Sequence, residues 1–388
     1  MFSIWSLPGP AQFATAITAR LDRGHSVVVG LPAWAAEDGA FLASLLSTVD
    51  YGVDVVDDCE NGSRPLASLV ADRFSINDVQ PGPAAAAALA GHVMLRGRVL
   101  AITVASDDQQ SARWTEFVRA FLPATRAVPM AERPQLVLLA RKTCAAALTG
   151  SDALLDDLWW WGVLDRLDTA FYVKSRFANG HDGQDGLIRE TITEVAGFDL
   201  NLADHLSAGW DGSPGTLASA LATFVGPCRL HGQNGPTKPH QLPHSSTALS
   251  APPMTLLPMW DQGLVDRWDA FPAYLHACAI TDPADLRSRV WRAQVRTLMP
   301  LIDEERIRIG AWLRREIRGL PDEAVLEPAG LFNVLQDHPS LKTWRGGHRK
   351  RLIYWLRDAR NTLAHMGTLT PGEIDRGQRL IVQDRHHS

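Results

Sequence analysis

Arg357-Asp358-Ala359-Arg360-Asn361-Thr362-Leu363-Ala364-His365, near the C-terminus, is the stretch on which the reading of this chain turns. Leu352, Trp355, Leu356, Ala359 and Leu363 recur at helical spacing and form one apolar stripe of an amphipathic helix. Arg357, Asn361 and His365 share a second face, with Arg360 beside it. Gly367 is the expected C-cap, and Pro371 prevents the helix from continuing. Two arginines, an amide and a histidine at a helix end can grip a phosphate and move a proton. RNA cleavage without a metal needs that combination.

The segment Arg360-Asn361-x-x-x-His365 resembles the R-N-x-x-x-H motif of HEPN domains, helical bundles found in bacterial toxins, antiviral effectors and ribonucleases. The bare Arg-to-His spacing recurs at Arg20 to His25 and at Arg379 to His386, but only after Arg360 does Asn follow directly on an amphipathic helix. The run from Asn361 to His365, then Gly367 and Leu369-Thr370-Pro371, is similar to HEPN modules fused to ATPase-like regulators. The resemblance covers residues 285 to 385, and it implies an all-α bundle and a set of roles. In that family the RNA 2′-hydroxyl attacks its own phosphate, leaving a cyclic phosphate and a 5′-hydroxyl. His365 would act as general acid or base, Arg360 would hold the phosphorane charge, and Asn361 would orient the phosphate or the imidazole. Arg357 is expected as a second phosphate contact, with Arg345, Arg349, Lys350 and Arg351 guiding the RNA backbone. On an ideal helix Arg360 and His365 differ by about 140° in azimuth. Two motifs facing one cleft are therefore expected, supplied by a homodimer or by a partner protein. No cofactor and no metal enter this scheme. The structural alternative is that Arg360 and His365 are solvated or packing residues, a late histidine being favoured by the helix dipole alone.

Length and composition bound the rest. With 388 residues the chain predicts two to three domains. Apolar residues make up 46% and charged residues 21%, ordinary values for a globular protein with a sizeable core. No run of eighteen apolar residues occurs, and Met1 to Pro10 lacks the basic start of a signal peptide. A cytoplasmic protein without a membrane span is expected. The four cysteines are scattered, with no Cys-x-x-Cys pair, against both a zinc site and a disulfide framework. A net charge of −5 excludes a chain that is nucleic-acid glue throughout, but Lys342 to Arg360 holds seven Lys or Arg against the single acid Asp358. Trp159-Trp160-Trp161 is the densest cluster of the thirteen tryptophans, and it predicts an aromatic core or interface rather than a stacking surface for bases.

Residues 1–150 alternate strand and helix. Strands are predicted at Ser26–Gly30, Val53–Val56, Arg98–Val104 and Gln135–Leu139, with helices at Glu37–Val49 and Ser111–Leu122. That order implies an α/β domain with a parallel sheet covered on both faces. It resembles a P-loop ATPase core of the AAA or STAND type, yet departs from it where chemistry would occur. The turn after the first strand, Gly30 to Gly39, has neither Lys nor a following Ser or Thr, and Glu37 and Asp38 would repel a triphosphate. Asp107 and Asp108 make a poor Walker B equivalent and suit an N-cap better. A degenerate nucleotide-binding fold is the expectation.

Residues 151–230 read as a helical, lid-like region, with helices at Leu154–Leu167 and Leu187–Ala196 and shorter ones beyond. His181, Asp182 and Asp185 lie in a Gly-rich hinge rather than a metal site. Residues 231–254 form a Pro/Gly-rich linker whose three histidines, His231, His240 and His244, lack fixed geometry for a metal. Residues 255–388 read as an all-helical, HEPN-like bundle, with one helix kinked at Pro300 or two helices separated there, and a final helix from Pro371 to Val382. Two functional readings follow. One is a ribonuclease effector of antiviral or toxin-type immunity under a pseudo-ATPase domain. The other is a non-catalytic pseudo-ATPase and HEPN scaffold within a defence complex.

Overall fold

The computed structural model describes residues 3–49, 51–56, 65–104, 108–177, 184–224, 247–318, 320, 327–337 and 347–386. They divide into two compact units, one of residues 1–168 and 227–279, the other of residues 169–226 and 280–388.

The first unit is built on five parallel strands: β1 (Ser26–Leu31), β2 (Val53–Val56), β3 (Val99–Val104), β4 (Gln135–Arg141) and β5 (Leu155–Trp159), in the order β2-β3-β4-β1-β5. Every residue of β1 is buried, as is every residue of β4 except Arg141, because helices cover the sheet. Those helices are α1 (Pro8–Leu21), α2 (Ala33–Ala36), α3 (Gly39–Thr48), α4 (Leu66–Arg73), α5 (Ala85–Ala90), α6 (Asp108–Thr125) and α7 (Lys142–Leu148). The four strands expected from the sequence are present.

Two features differ from expectation. The sheet gains β5 beyond residue 150, in the segment expected to be helical from Leu154 to Leu167. Three consecutive tryptophans cannot all face one side of a helix, where successive residues turn about 100°. The strand ends at Trp159 and the chain bends through Trp160 and Trp161, and all three are at most 1% exposed. Residues 255–388 are not wholly helical, because β6 (Val265–Trp268) and β7 (Phe271–Leu275) form an antiparallel hairpin after a short helix at Leu257–Asp261. Of the two readings of Asp285 to Arg318, two helices or one, the structure has one: Pro300 lies inside a single long helix, Pro283–Glu316.

The second unit is all-α, with α8 (Arg166–Arg176), α9 (Gln184–Ala196), α10 (Leu200–Gly209), α11 (Leu217–Thr223), α12 (Pro283–Glu316), α13 (Pro328–Asp337), α14 (Gly347–Ala364) and α15 (Pro371–His386). Residues 169–226 of the region expected as a separate lid thus share a unit with the C-terminal bundle. Its core joins Leu298, Ile302, Ile309 and Leu313 of α12 to Leu352, Leu356, Ala359 and Leu363 of α14 and to Ile374 and Ile381 of α15. Among the described residues no helix is long and apolar enough to cross a membrane.

Gly30 illustrates how tightly the sheet is filled. It pairs in register with Trp159, and a Cβ placed there would lie 2.5 Å from the indole ring. Gly30→Ala is expected to destabilise the protein by about 1–3 kcal/mol, the usual cost of overpacking a core. Thermal unfolding followed by tryptophan fluorescence checks it, and an unchanged transition would show that the indole moves aside freely.

Candidate functional site

Helix α14 carries the sequence motif, and its apolar stripe is buried as its spacing requires: Leu352, Leu356, Ala359 and Leu363 are at most 1% exposed. Buried polar groups hold the C-terminal end. The Trp291 indole N–H donates to the Leu363 carbonyl at 2.7 Å. The buried Gln294 side chain donates to the Leu369 carbonyl at 2.9 Å and accepts from the Leu369 N–H at 2.8 Å. The helix closes with Gly367 N–H on the Thr362 carbonyl and Met366 N–H on the Leu363 carbonyl. That is the pattern of a Schellman cap, in which the left-handed residue is usually glycine. Here it is Met366, at φ 59°, and not the expected Gly367. Gly367 has its own reason, since a Cβ there would lie 2.8 Å from the Thr362 methyl. Thr370 and Glu373 then form a capping box at the start of α15.

On this held helix end, Asn361 and His365 are exposed, and among the described residues neither side chain has a hydrogen-bond partner. Arg360 is half-buried and its guanidinium lies 3.2 Å from the Glu327 carboxylate. Arg357 bonds to the neighbouring Asp358 at 2.6 and 2.8 Å, and its guanidinium lies over Phe332 at 4.0 Å. Lys350 and Arg351 are exposed, the latter bonding to the Gly347 carbonyl. Arg345 lies outside the described residues. The structure gives Arg349 a different place from the one expected: it is buried, donates to Asp384 at 2.7 Å and stacks on Trp312 at 4.4 Å. Its position on the apolar side of α14 leaves it no access to an RNA backbone. The two other Arg-to-His spacings are engaged internally. Arg20 and His25 both approach Asp156, at 3.9 and 3.3 Å, and Arg379 pairs with Asp375.

Sequence reasoning missed Glu327, Phe332 and Tyr354. Glu327, just before α13, and Phe332 on α13 meet the motif helix through tertiary contacts that spacing does not show, while Tyr354 lies three residues before Arg357 on α14 itself.

At the carboxyl edge of the sheet in the first unit, where ligands of open α/β folds bind, the turn after β1 is folded into α2. Asp38 caps α3 by accepting from the Ala40 and Phe41 N–H groups. Arg141, at the end of β4, pairs with Glu37 at 2.7 Å and with the buried Asp261 at 3.0 Å. Protein carboxylates thus stand beside the cation that an anionic ligand would otherwise meet. Asp107 and the side chain of Asp108 lie outside the described residues, as do His181, Asp182, the side chain of Asp185, and the linker histidines. Among the described residues no group of three potential metal ligands converges.

No protein-family model matches this chain, and no curated protein matches it in sequence.

Asp384 is fully buried and accepts hydrogen bonds from Arg349 and Arg308, which ties α15 to α14 and α12. Burial alone would raise its carboxyl above the ordinary value, but Arg349 and Arg308 outweigh burial and hold it below. A folded carboxyl lower than the unfolded one stabilises fully above about pH 4, the unfolded value, and loses that contribution as pH falls further. Asp384→Asn is expected to cost about 3–5 kcal/mol, because it leaves two arginines facing a lost charge. Urea unfolding at pH 7 and pH 3 tests both points: the wild type should lose stability on acidification, and the variant should lose less.

Proposed function

We propose that the second unit is a HEPN-like module whose motif face binds RNA, and that the protein is a metal-independent endoribonuclease of antiviral or toxin-type defence. One observation carries the reading. The apolar stripe of α14 is buried while Asn361 and His365 stand exposed and unengaged, with Arg360 beside them on a helix end anchored by Trp291 and Gln294. Structural residues would be packed or paired, as Arg349 is. A titratable imidazole, a neutral amide and a guanidinium supply a proton carrier, an orienting group and a charge clamp for an attacking 2′-hydroxyl. The first unit fits the role of a degenerate nucleotide-binding fold that senses or docks, since Arg141 is matched to Glu37 and Asp261.

A second reading, a non-catalytic scaffold of a defence complex, is favoured by the Arg360–Glu327 pair, which already occupies the would-be phosphate clamp. Incubation of the purified protein with total RNA in EDTA separates the two. Cleavage leaving cyclic phosphate ends is expected, slowed about ten- to a hundred-fold by Arg360→Ala, the worth of one charge-assisted contact. His365→Ala should slow it at least as much. Both variants should melt like the wild type, because neither side chain belongs to the core. Cleavage that requires Mg²⁺ and ignores His365 would overturn the catalytic reading, and no cleavage would favour the scaffold.

The azimuth of Arg360 against His365 makes one motif incomplete, so two motifs should share a cleft. Light scattering at tens of micromolar is expected to give a dimer. A strict monomer that still cleaves RNA would remove the composite site.

A further inference from the structure

The exposed side of α14 does not end at the motif. One turn before Asn361 lies Arg357, and three residues before that lies Tyr354, so Tyr354, Arg357, Asn361 and His365 run along one side of the helix. Helix α13 packs beside this row and brings Phe332 against it. The Phe332 and Tyr354 rings meet edge to face at 4.9 Å and 86°, and the Gln336 amide fixes the Tyr354 hydroxyl at 2.9 Å. The Arg357 guanidinium lies over Phe332 at 4.0 Å and near Tyr354 at 5.4 Å, while Asp358 holds its edge. Arg357 is therefore no loose surface cation. It is a flat charged plate fixed on one face by an aromatic ring, and its side chain remains about a quarter exposed.

We propose that this plate seats a nucleobase next to the phosphate held at Arg360, so that the face takes single-stranded RNA. The inference rests on the reading of α14 as an RNA-binding face. Bases stack on guanidinium planes and aromatic rings only when unpaired, whereas the bases of a duplex are already stacked on each other. A mere phosphate contact would need no aromatic support, since charge and N–H donors alone bind a phosphate. The fixed plane of Arg357 suits recognition of a π-face. This assigns Arg357 to a base rather than to the second phosphate.

Fluorescence anisotropy with the full-length protein tests it, using a labelled single-stranded RNA, its duplex, and the same strand carrying abasic sites. Arg357→Lys keeps the charge and removes the plane. It is expected to weaken binding of the intact single strand about ten-fold, the scale of one lost base stack, and to leave the abasic strand unaffected. Phe332→Leu should act in the same direction by freeing the guanidinium. Arg360→Ala should weaken the intact and abasic strands alike. If Arg357→Lys weakens both strands equally, or neither, while Arg360→Ala still weakens both, the stacking seat is overturned and the RNA-binding face stands. If the wild type binds no RNA, or prefers the duplex, the first outcome removes both readings and the second removes the stacking seat alone.

Discussion

Two buried carboxylates, Asp384 and Glu305, organise the helices around α14. Asp384 meets Arg308 of α12 and Arg349 of α14, and Glu305, one turn before Arg308, meets Arg308 and Arg385. Both acids are at most 1% exposed, so their desolvation is expensive unless several donors surround them. Only one register of three helices supplies those donors together. Trp355 reinforces it by donating to the Glu373 carbonyl and by filling the space where a side chain at Gly377 would stand, 2.1 Å from its ring. The network thus fixes how far α14 is rotated, and that rotation decides which of its many basic residues turn inward. Arg349 turns in to complete the charge balance, while Arg357, Arg360, Asn361 and His365 are left on the outer side.

The first unit resolves a comparable conflict at the edge of its sheet. A parallel sheet ends in a row of turns whose amides and cations attract anions. In this chain that attraction is met from within. Arg141 is shared by Glu37 and Asp261, Asp38 takes the amides that open α3, and Gly30 yields its space to Trp159. Each of these groups is thus satisfied by side chains of the chain itself. Glu37 and Asp38, which would repel a phosphate, are structural parts in the fold.

How much of this could be read in one dimension varies with the range of the forces involved. Four of the five parallel strands were legible: β1, β3 and β4 from continuous apolar runs that signal burial on both faces, and the edge strand β2 from its short valine-rich run. The apolar stripe of α14 was legible from its helical spacing. The fifth strand was not, since Leu155 to Trp159 mixes two aspartates with large apolar residues and its pairing with β1 spans more than a hundred residues. The hairpin at Val265 to Leu275 was hidden by aromatics that fit helix or strand alike. Within the site, the exposed places of Asn361 and His365 followed from periodicity. The burial of Arg349 did not, because it depends on Asp384, whose only link to it is tertiary.

The remaining question is one of magnitude at Arg360. Its pair with Glu327 is a single contact at 3.2 Å between side chains 31% and 57% exposed. Such exposed pairs are worth about 0–1 kcal/mol. A pair so exposed orients the guanidinium without burying it, so another anion can compete with Glu327 for Arg360. Arg349 presents the opposite case, a buried pair whose separation would strand a charge without water. The same residue type on the same helix is thus locked at one position and available at another. The difference lies in which side of α14 each occupies, and it sets the motif face apart as a surface held in shape while its polar groups stay free to act.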